Sequence, residues 1–283
     1  MRPEVGRIRL STIGRSIDLQ VPTNRAIALL ALGVFVAGSA VGLVHGETWA
    51  TSLLGGLSWA GSAFLAWALG RETDPDRWYS AFFAAAGALA CAIWLGPPSF
   101  GLLFWFMLGL RFVNRSTGRA PGILDIFAFY GLSLWLGFSI HWAIPLLATV
   151  SVPFAGGGRF PRVLRIGLVL PCCAIALGAT RGWQFAPPAG GWVETVSLAF
   201  VTSLLTPVGI GYRSPRSIGD HTGVPLDRRR VRWALAWSAG SALVLEAIGA
   251  VAFIALAPVW AAFAGTFVGW TIDRIAKTLA PPS

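Results

Sequence analysis

An all-α, polytopic bundle of transmembrane helices is the fold class this sequence predicts. Three observations carry the prediction. The 283 residues are 55% hydrophobic and only 12% charged, whereas an aqueous domain carries about 25% charged residues to coat its surface. The mean hydropathy is +0.67. The apolar residues fall into runs of spanning length, and cations bracket those runs rather than lining one face. A strongly basic soluble chain would suggest a nucleic-acid partner. Charge at the ends of hydrocarbon segments instead reports topology, so the expected partner is the lipid bilayer and not nucleic acid.

A spanning helix needs roughly 17–25 mostly apolar residues. Its backbone must bond within the segment, because hydrocarbon offers no partner. On that basis the chain divides into a basic tail over 1–25, a single membrane domain over 26–277 and a short tail over 278–283. Ten spans are expected, at 26–45, 49–70, 78–96, 98–113, 121–139, 141–157, 163–180, 193–211, 233–254 and 257–276. The fourth, sixth and seventh are short, and the count falls to eight where a short one is re-entrant. About 25 residues precede the first run, longer than the n-region of a signal peptide, so that run reads as a retained span. The tail alternates apolar and polar residues at Ile17, Leu19 and Val21, and Gly14 can turn a short hairpin.

The arginines fix the parity of the crossings. With the N-terminus inside and one crossing per span, the inner connections hold 21 of the 22 basic residues, and only Arg181 falls outside. Cytoplasmic loops carry such an excess, so both termini are expected in the cytoplasm. All but one of the basic residues are arginine, and Ala and Gly are abundant. That composition points to a GC-rich bacterial genome and so to a bacterial plasma (inner) membrane. Gly38 with Gly42, and Gly265 with Gly269, have the spacing at which helices approach closely. Five spans plus five divide the domain into possible halves 26–140 and 141–277. An odd number per half would orient them oppositely, as in inverted-repeat transporters.

Candidate functional residues are few. Glu246 lies among Leu243, Val244, Leu245, Ala247 and Ile248. A carboxylate within a span is expensive and reads as functional, so Glu246 is the candidate for proton or substrate coupling. Trp59 and Trp105 sit nearer mid-span than the other tryptophans and are candidates to line a cavity or to pack. Glu72, Asp74 and Asp76 place three carboxylates in five residues, and with Arg115 and Asp125 they form a possible cytoplasmic polar site. Such oxygen clusters can hold a divalent cation. Against this, Asp74 before Pro75 is also a helix-start signal. Arg115 and Arg119 can contact a phosphate or other anion. His45, Glu47, His141 and Glu194 lie near span ends on the other side. No metal site is assigned, and no cofactor follows from any motif.

The segment 211–232 is the largest cytoplasmic connection and can dock a protein partner or anionic lipid. It contains Asp220-His221, a weak catalytic pair with no third member. No P-loop, HExxH or GxSxG motif is present. The expected function is a small-molecule transporter or permease with an intramembrane carboxylate. The alternatives are a non-catalytic membrane component binding a partner through its basic loops, and a metal-dependent transferase acting on a lipid or polyprenyl substrate. Over Ala257-Pro258-Val259-Trp260-Ala261-Ala262 the chain resembles a late span of ten-span drug/metabolite transporters. That resemblance implies transport.

Overall fold

The computed structural model describes residues 11–14, 17–155, 167–183, 208–209, 215–220 and 222–279. Among them every regular element is helical. In chain order these are α1 (Pro22–Val44), α2 (Trp49–Thr73), α3 (Trp78–Leu95), α4 (Phe100–Asn114), α5 (Ile123–Ser139), α6 (Ala143–Thr149), α7 (Val169–Arg181), α8 (Arg228–Ala247) and α9 (Ala257–Leu279). Two 3₁₀ turns, Val152–Ala155 and Phe253–Leu256, follow α6 and precede α9. Among the described residues, four helical stretches are long and apolar enough to cross a membrane: α1, α2, α3, and Phe253–Leu279, which contains α9. The expected eighth span, 193–211, lies almost wholly outside the described residues.

Local chemistry sets several boundaries. Pro22 opens α1 at a position whose missing N–H costs nothing. Thr48 caps α2 by accepting the Thr51 N–H at 3.3 Å, and Asp227 caps α8 by accepting the Arg229 N–H at 2.8 Å. Arg71, Arg111 and Lys277 lie in the last turns of α2, α4 and α9, where a cation complements the helix dipole. Two boundaries differ from expectation. The span expected at 233–254 ends as a helix at Ala247, because the chain turns at Gly249 with φ of 68°. The sixth span, expected at 141–157, is a seven-residue helix running into a 3₁₀ turn.

The helices form two packing groups that interleave the sequence halves. The first is α1 on α2, with α2, α3 and α9 mutually packed. The second places α4 between α5 and α8, with α6 and α7 against α5. Contact between α2 and α4 joins the groups. In the first group small residues let backbones touch. A Cβ on Gly38 would meet Trp59 and the Cα of Gly56 within 2.9 Å. A Cβ on Gly265 would stand 2.5 Å from the Ser80 carbonyl and 2.9 Å from the Ala84 nitrogen. In the second group aromatic rings fill the space. Trp105 contacts Phe106, Phe129 and Trp237 at centroid distances of 4.9, 6.1 and 5.1 Å. The Trp237 indole lies on α4 at Gly109, where any side chain would displace it.

α4 and α8 run antiparallel and are pinned where α4 ends and α8 begins, while the start of α4 is tied to the 3₁₀ turn before α9. Arg230 at the start of α8 donates to the Val113 carbonyl at the end of α4. At the other end the Ser99 N–H donates to the Ala255 carbonyl at 3.1 Å. One end of the bundle therefore gathers the last turns of α2 and α4 with the first turns of α3, α5 and α8. It also gathers the 3₁₀ turn at 152–155 and the end of α9. It carries most of the described cations. α1 presents Leu29, Leu32 and Val36 outward, more than half exposed each, as a lipid-facing helix would.

The two glycine environments make opposite predictions. Gly265→Ala forces α3 and α9 apart and should cost on the order of 1–3 kcal/mol. Gly33 has open space around its Cβ position, so Gly33→Ala should be neutral or stabilise by up to about 1 kcal/mol through helix propensity. Thermal unfolding of the detergent-solubilised protein measures both. Equal transitions for the two variants would contradict the close approach.

Candidate functional site

The polar end of the bundle is built on buried carboxylates. Glu72, in the last turn of α2, is 1% exposed. Its Oε1 accepts the Arg111 Nε at 2.9 Å, and its Oε2 accepts the Asn114 amide at 3.1 Å. The same amide reaches the Glu72 backbone carbonyl at 3.2 Å. Both partners come from the last turn of α4, so this contact fixes α2 and α4 end to end. A buried carboxylate is tolerable only with such donors around it.

Asp74 does not cap α3, contrary to the helix-start reading. It closes α2 as the C-terminal cap, α3 begins at Trp78 with Arg77 before it, and Pro75 stays outside the helix. The Asp74 carboxylate is fully buried and accepts the Arg77 guanidinium at 3.1 Å and the Ser80 hydroxyl at 2.7 Å. Burial pushes its pKa above the usual carboxylate range despite Arg77 and Ser80, which act the other way. Arg77 also reaches Asp273 at 3.3 Å and so ties the start of α3 to α9. Asp76 does not serve the α3 dipole. It accepts the backbone N–H groups of Arg216 and Ser217 at 3.0 and 2.9 Å, while the Ser217 hydroxyl donates to the Pro75 carbonyl. The large basic segment is thereby pinned to the α2–α3 connection, at least over 215–217.

Asp125, at the third position of α5, accepts the Gly122 N–H at 2.8 Å. It also takes the Ser11 hydroxyl, the Thr12 hydroxyl at 2.6 Å and the Thr12 N–H at 2.9 Å. Residues 11–13 are therefore docked on α5, with Ile13 buried. Of the expected hairpin around Gly14, residues 11–14 and 17–21 are described, as bends, a turn and irregular chain, and residues 7–10, 15 and 16 lie outside those described. Arg115 follows α4 with φ of 52°, the one non-glycine residue at positive φ among the described residues. Arg119 is exposed and is not brought to Arg115 by any hydrogen bond.

Between these elements lies a cavity of about 580 Å³. Phe64, Trp67, Ala68 and Met107 form its apolar wall. Asp18, Asn24, Arg71, Glu72, Arg111 and Asp220 form its polar side, and the segment 17–24 lies over it. The Trp67 side chain is buried, and its Nε1–H has no acceptor among the described residues. Buried indole N–H groups ordinarily find a partner, and this one sits in a residue of the cavity wall.

Of the sequence candidates among the described residues, Glu72 and Asp220 line this cavity. Trp59 packs on Gly38 at the α1–α2 contact. Trp105 is fully buried and donates its Nε1–H to the Ser133 hydroxyl at 2.8 Å. Glu246 is 1% exposed, in the last turn of α8 at the opposite end of the bundle. It is therefore buried as expected, but at a helix terminus rather than mid-helix. Among the described residues no cluster of His, Cys, Asp and Glu could hold a metal ion. His221 and Glu194 lie outside the described residues. His141 accepts the Ala143 N–H, and His45 and Glu47 are exposed. The cavity residues Asp18, Asn24, Trp67 and Arg111 were not singled out from sequence. Arg71 and Arg111 had been read only as topology charges.

Two predictions follow from the carboxylates. Arg111→Met strands the buried Glu72 charge and should cost roughly 3–5 kcal/mol. Adding Glu72→Gln should recover a large part of that loss, as chemical unfolding of single and double variants would measure. For Asp74 the raised pKa means that the folded chain holds its proton more tightly than the unfolded chain. That contribution is complete below about pH 4, near the unfolded value, and is lost as pH rises through the folded pKa. Asp74→Asn should thus gain stability relative to the parent between pH 4 and neutrality. A constant difference across that range would refute the assignment.

No family model, no curated protein and no solved structure matches this chain, and the short resemblance at 257–262 finds no counterpart among them.

Proposed function

We propose that this helical, membrane-integral chain is a transporter or permease for a small amphipathic molecule, bound in the cavity beneath residues 17–24. The observation that carries the reading is that cavity. Its size lies within the range of ligand sites, about 300–1,000 Å³, and it joins an apolar wall to a few polar groups. Trp67, in the apolar wall, has a buried Nε1–H with no acceptor among the described residues. Charges of both signs on the polar side suit a molecule with a polar or zwitterionic head and an apolar body.

The same reading places ten spans, or eight, in a bacterial plasma membrane. Both termini and the cation-rich end then face the cytoplasm, in line with the positive-inside preference. Glu246 is the coupling carboxylate at the far end. The transferase alternative asks Glu72, Asp74, Asp76 and Asp125 to share a metal or substrate, but each is already taken by donors of its own. The partner-binding alternative asks 211–232 to be a free docking arm, but its residues 216 and 217 are held by Asp76.

Proteoliposome uptake tests the reading against a panel of amphipathic amines, acids and zwitterions. Ala68→Phe fills the cavity and should lower uptake of the accepted compound at least tenfold. Leu29→Phe, on the outward face of α1, should not. Glu246→Gln should abolish the response to an imposed pH gradient while leaving counterflow exchange intact. Uptake unaffected by Ala68→Phe would remove the cavity from the function.

A further inference from the structure

The turn after α4 shows a second polar feature that the cavity does not use. Arg115 and Arg230 come from distant parts of the chain and donate to one acceptor, the Phe154 carbonyl, at 3.3 and 2.8 Å. Arg230 also reaches the Val113 carbonyl. Two guanidinium groups thus meet at half-buried positions, where their repulsion is poorly screened. Among the described residues no carboxylate forms an ion pair with either. Asp227 acts on Arg230 at longer range, and its carboxylate accepts the Arg229 N–H. Burial, with Arg230 beside it, pushes the Arg115 pKa down to about 10, which leaves it charged at neutral pH.

The turn itself is held in an unfavourable shape. Arg115 has φ of 52° and ψ of 50°, a left-handed conformation that side-chain-bearing residues avoid. Such outliers persist where the surroundings over-determine them, and they cluster at binding sites. Here the Asn114 side chain accepts the Ser116 N–H at 2.9 Å, and the Gly118 N–H returns to the Arg115 carbonyl at 2.7 Å. Three donors of this turn are buried with no partner among the described residues: the Arg115 Nε–H, the Ser116 hydroxyl and the Thr117 hydroxyl. Ser116 and Thr117 are 4% and 1% exposed. Charge of one sign, a fork of guanidinium donors and unmet hydroxyls are complementary to a tetrahedral oxyanion.

From this geometry we infer that Arg115 and Arg230, with the 115–117 turn, form a binding site for a phosphate group, supplied by an anionic lipid headgroup or by a free phosphate. Trp233, one turn along α8, is more than half exposed and lies tilted against Phe154, with ring centroids 5.6 Å apart. An indole at that position marks the headgroup level of a bilayer.

The test is thermal unfolding of the full chain in neutral detergent with three additions: short-chain phosphatidylglycerol, short-chain phosphatidylcholine and inorganic phosphate. Phosphatidylglycerol should raise Tm by several degrees, and the shift should shrink with salt. A shift with phosphatidylglycerol alone assigns the lipid source, and an equal shift with inorganic phosphate assigns the free anion. Arg115→Gln and Arg230→Gln should each abolish the shift. Arg229→Gln, on the exposed face beside them, should retain it. Where Arg115→Gln fails to fold, Arg115→Lys keeps the charge, drops the Nε donor and should reduce the shift at least twofold. An equal shift with phosphatidylcholine, or a full shift in the Arg115 and Arg230 variants, would overturn the site.

Discussion

The contact between Glu72 and the last turn of α4 is the constraint on which the polar end depends. A carboxylate 1% exposed must be matched by donors inside the chain, and Arg111 and Asn114 supply them. Because both donors belong to one helical turn, the relative height of α2 and α4 is set to within a hydrogen bond. That height brings Trp67 and Arg71 opposite Met107 and Arg111, and the space left between them is the cavity. Asn114 uses its amide nitrogen on Glu72 and its oxygen on the Ser116 N–H. One side chain thus joins the cavity to the Arg115 turn.

The remaining carboxylates of this end act in the same way on other segments. Asp76 captures 216–217, Asp125 captures 11–12, and Asp74 with Arg77 reaches Asp273 on α9. Among the described residues, the middle of the bundle has no such carboxylate contacts. There, glycines at Gly38 and Gly265 admit close backbones, and rings at Trp105, Phe129 and Trp237 fill the wider spaces. The division follows the solvent. In hydrocarbon, apolar side chains gain nothing by leaving lipid, so shape fit and small residues decide packing. At the interface, directional polar contacts decide it instead.

Much of this architecture was legible in the sequence, and the reason is the bilayer. Helix length, apolar runs and terminal arginines all answer to one slab of hydrocarbon. The sorting of Arg71, Arg77, Arg111, Arg115 and Arg230 to one end therefore needed no tertiary information. The glycine pairs were readable because their spacing is local. What was not legible is long-range. Glu72 finds its partners about forty positions away, Asp125 more than a hundred, and Asp76 about one hundred and forty. Asp74 and Pro75 carried a true local signal for a helix start, but α2 ran on to Thr73 and took Asp74 as its own cap. Trp105, nearer mid-span than most tryptophans, reads from the sequence as a residue that lines a cavity or packs, and the choice between them is long-range. Its indole donates to Ser133, and other rings lie against it.

The distance between Glu246 and the cavity bears on how a transporter of this shape would work. From Arg230 to Glu246 is sixteen residues of α8, about 24 Å along the axis. Glu246 does not line the cavity. Coupling then requires an element that touches both ends, and α8 qualifies, since Arg230 binds the α4 terminus while Glu246 closes the other end. Along its length Trp237 seats on the bare backbone of Gly109, where its indole fills the space a side chain would take. The same ring packs against Trp105, Phe106 and Phe129 and donates its Nε1–H to the Leu147 carbonyl at 3.1 Å. A knob seated in a hole in this way interlocks two helices and fixes their register, so α4 and α8 are held together from the Arg230 end onward.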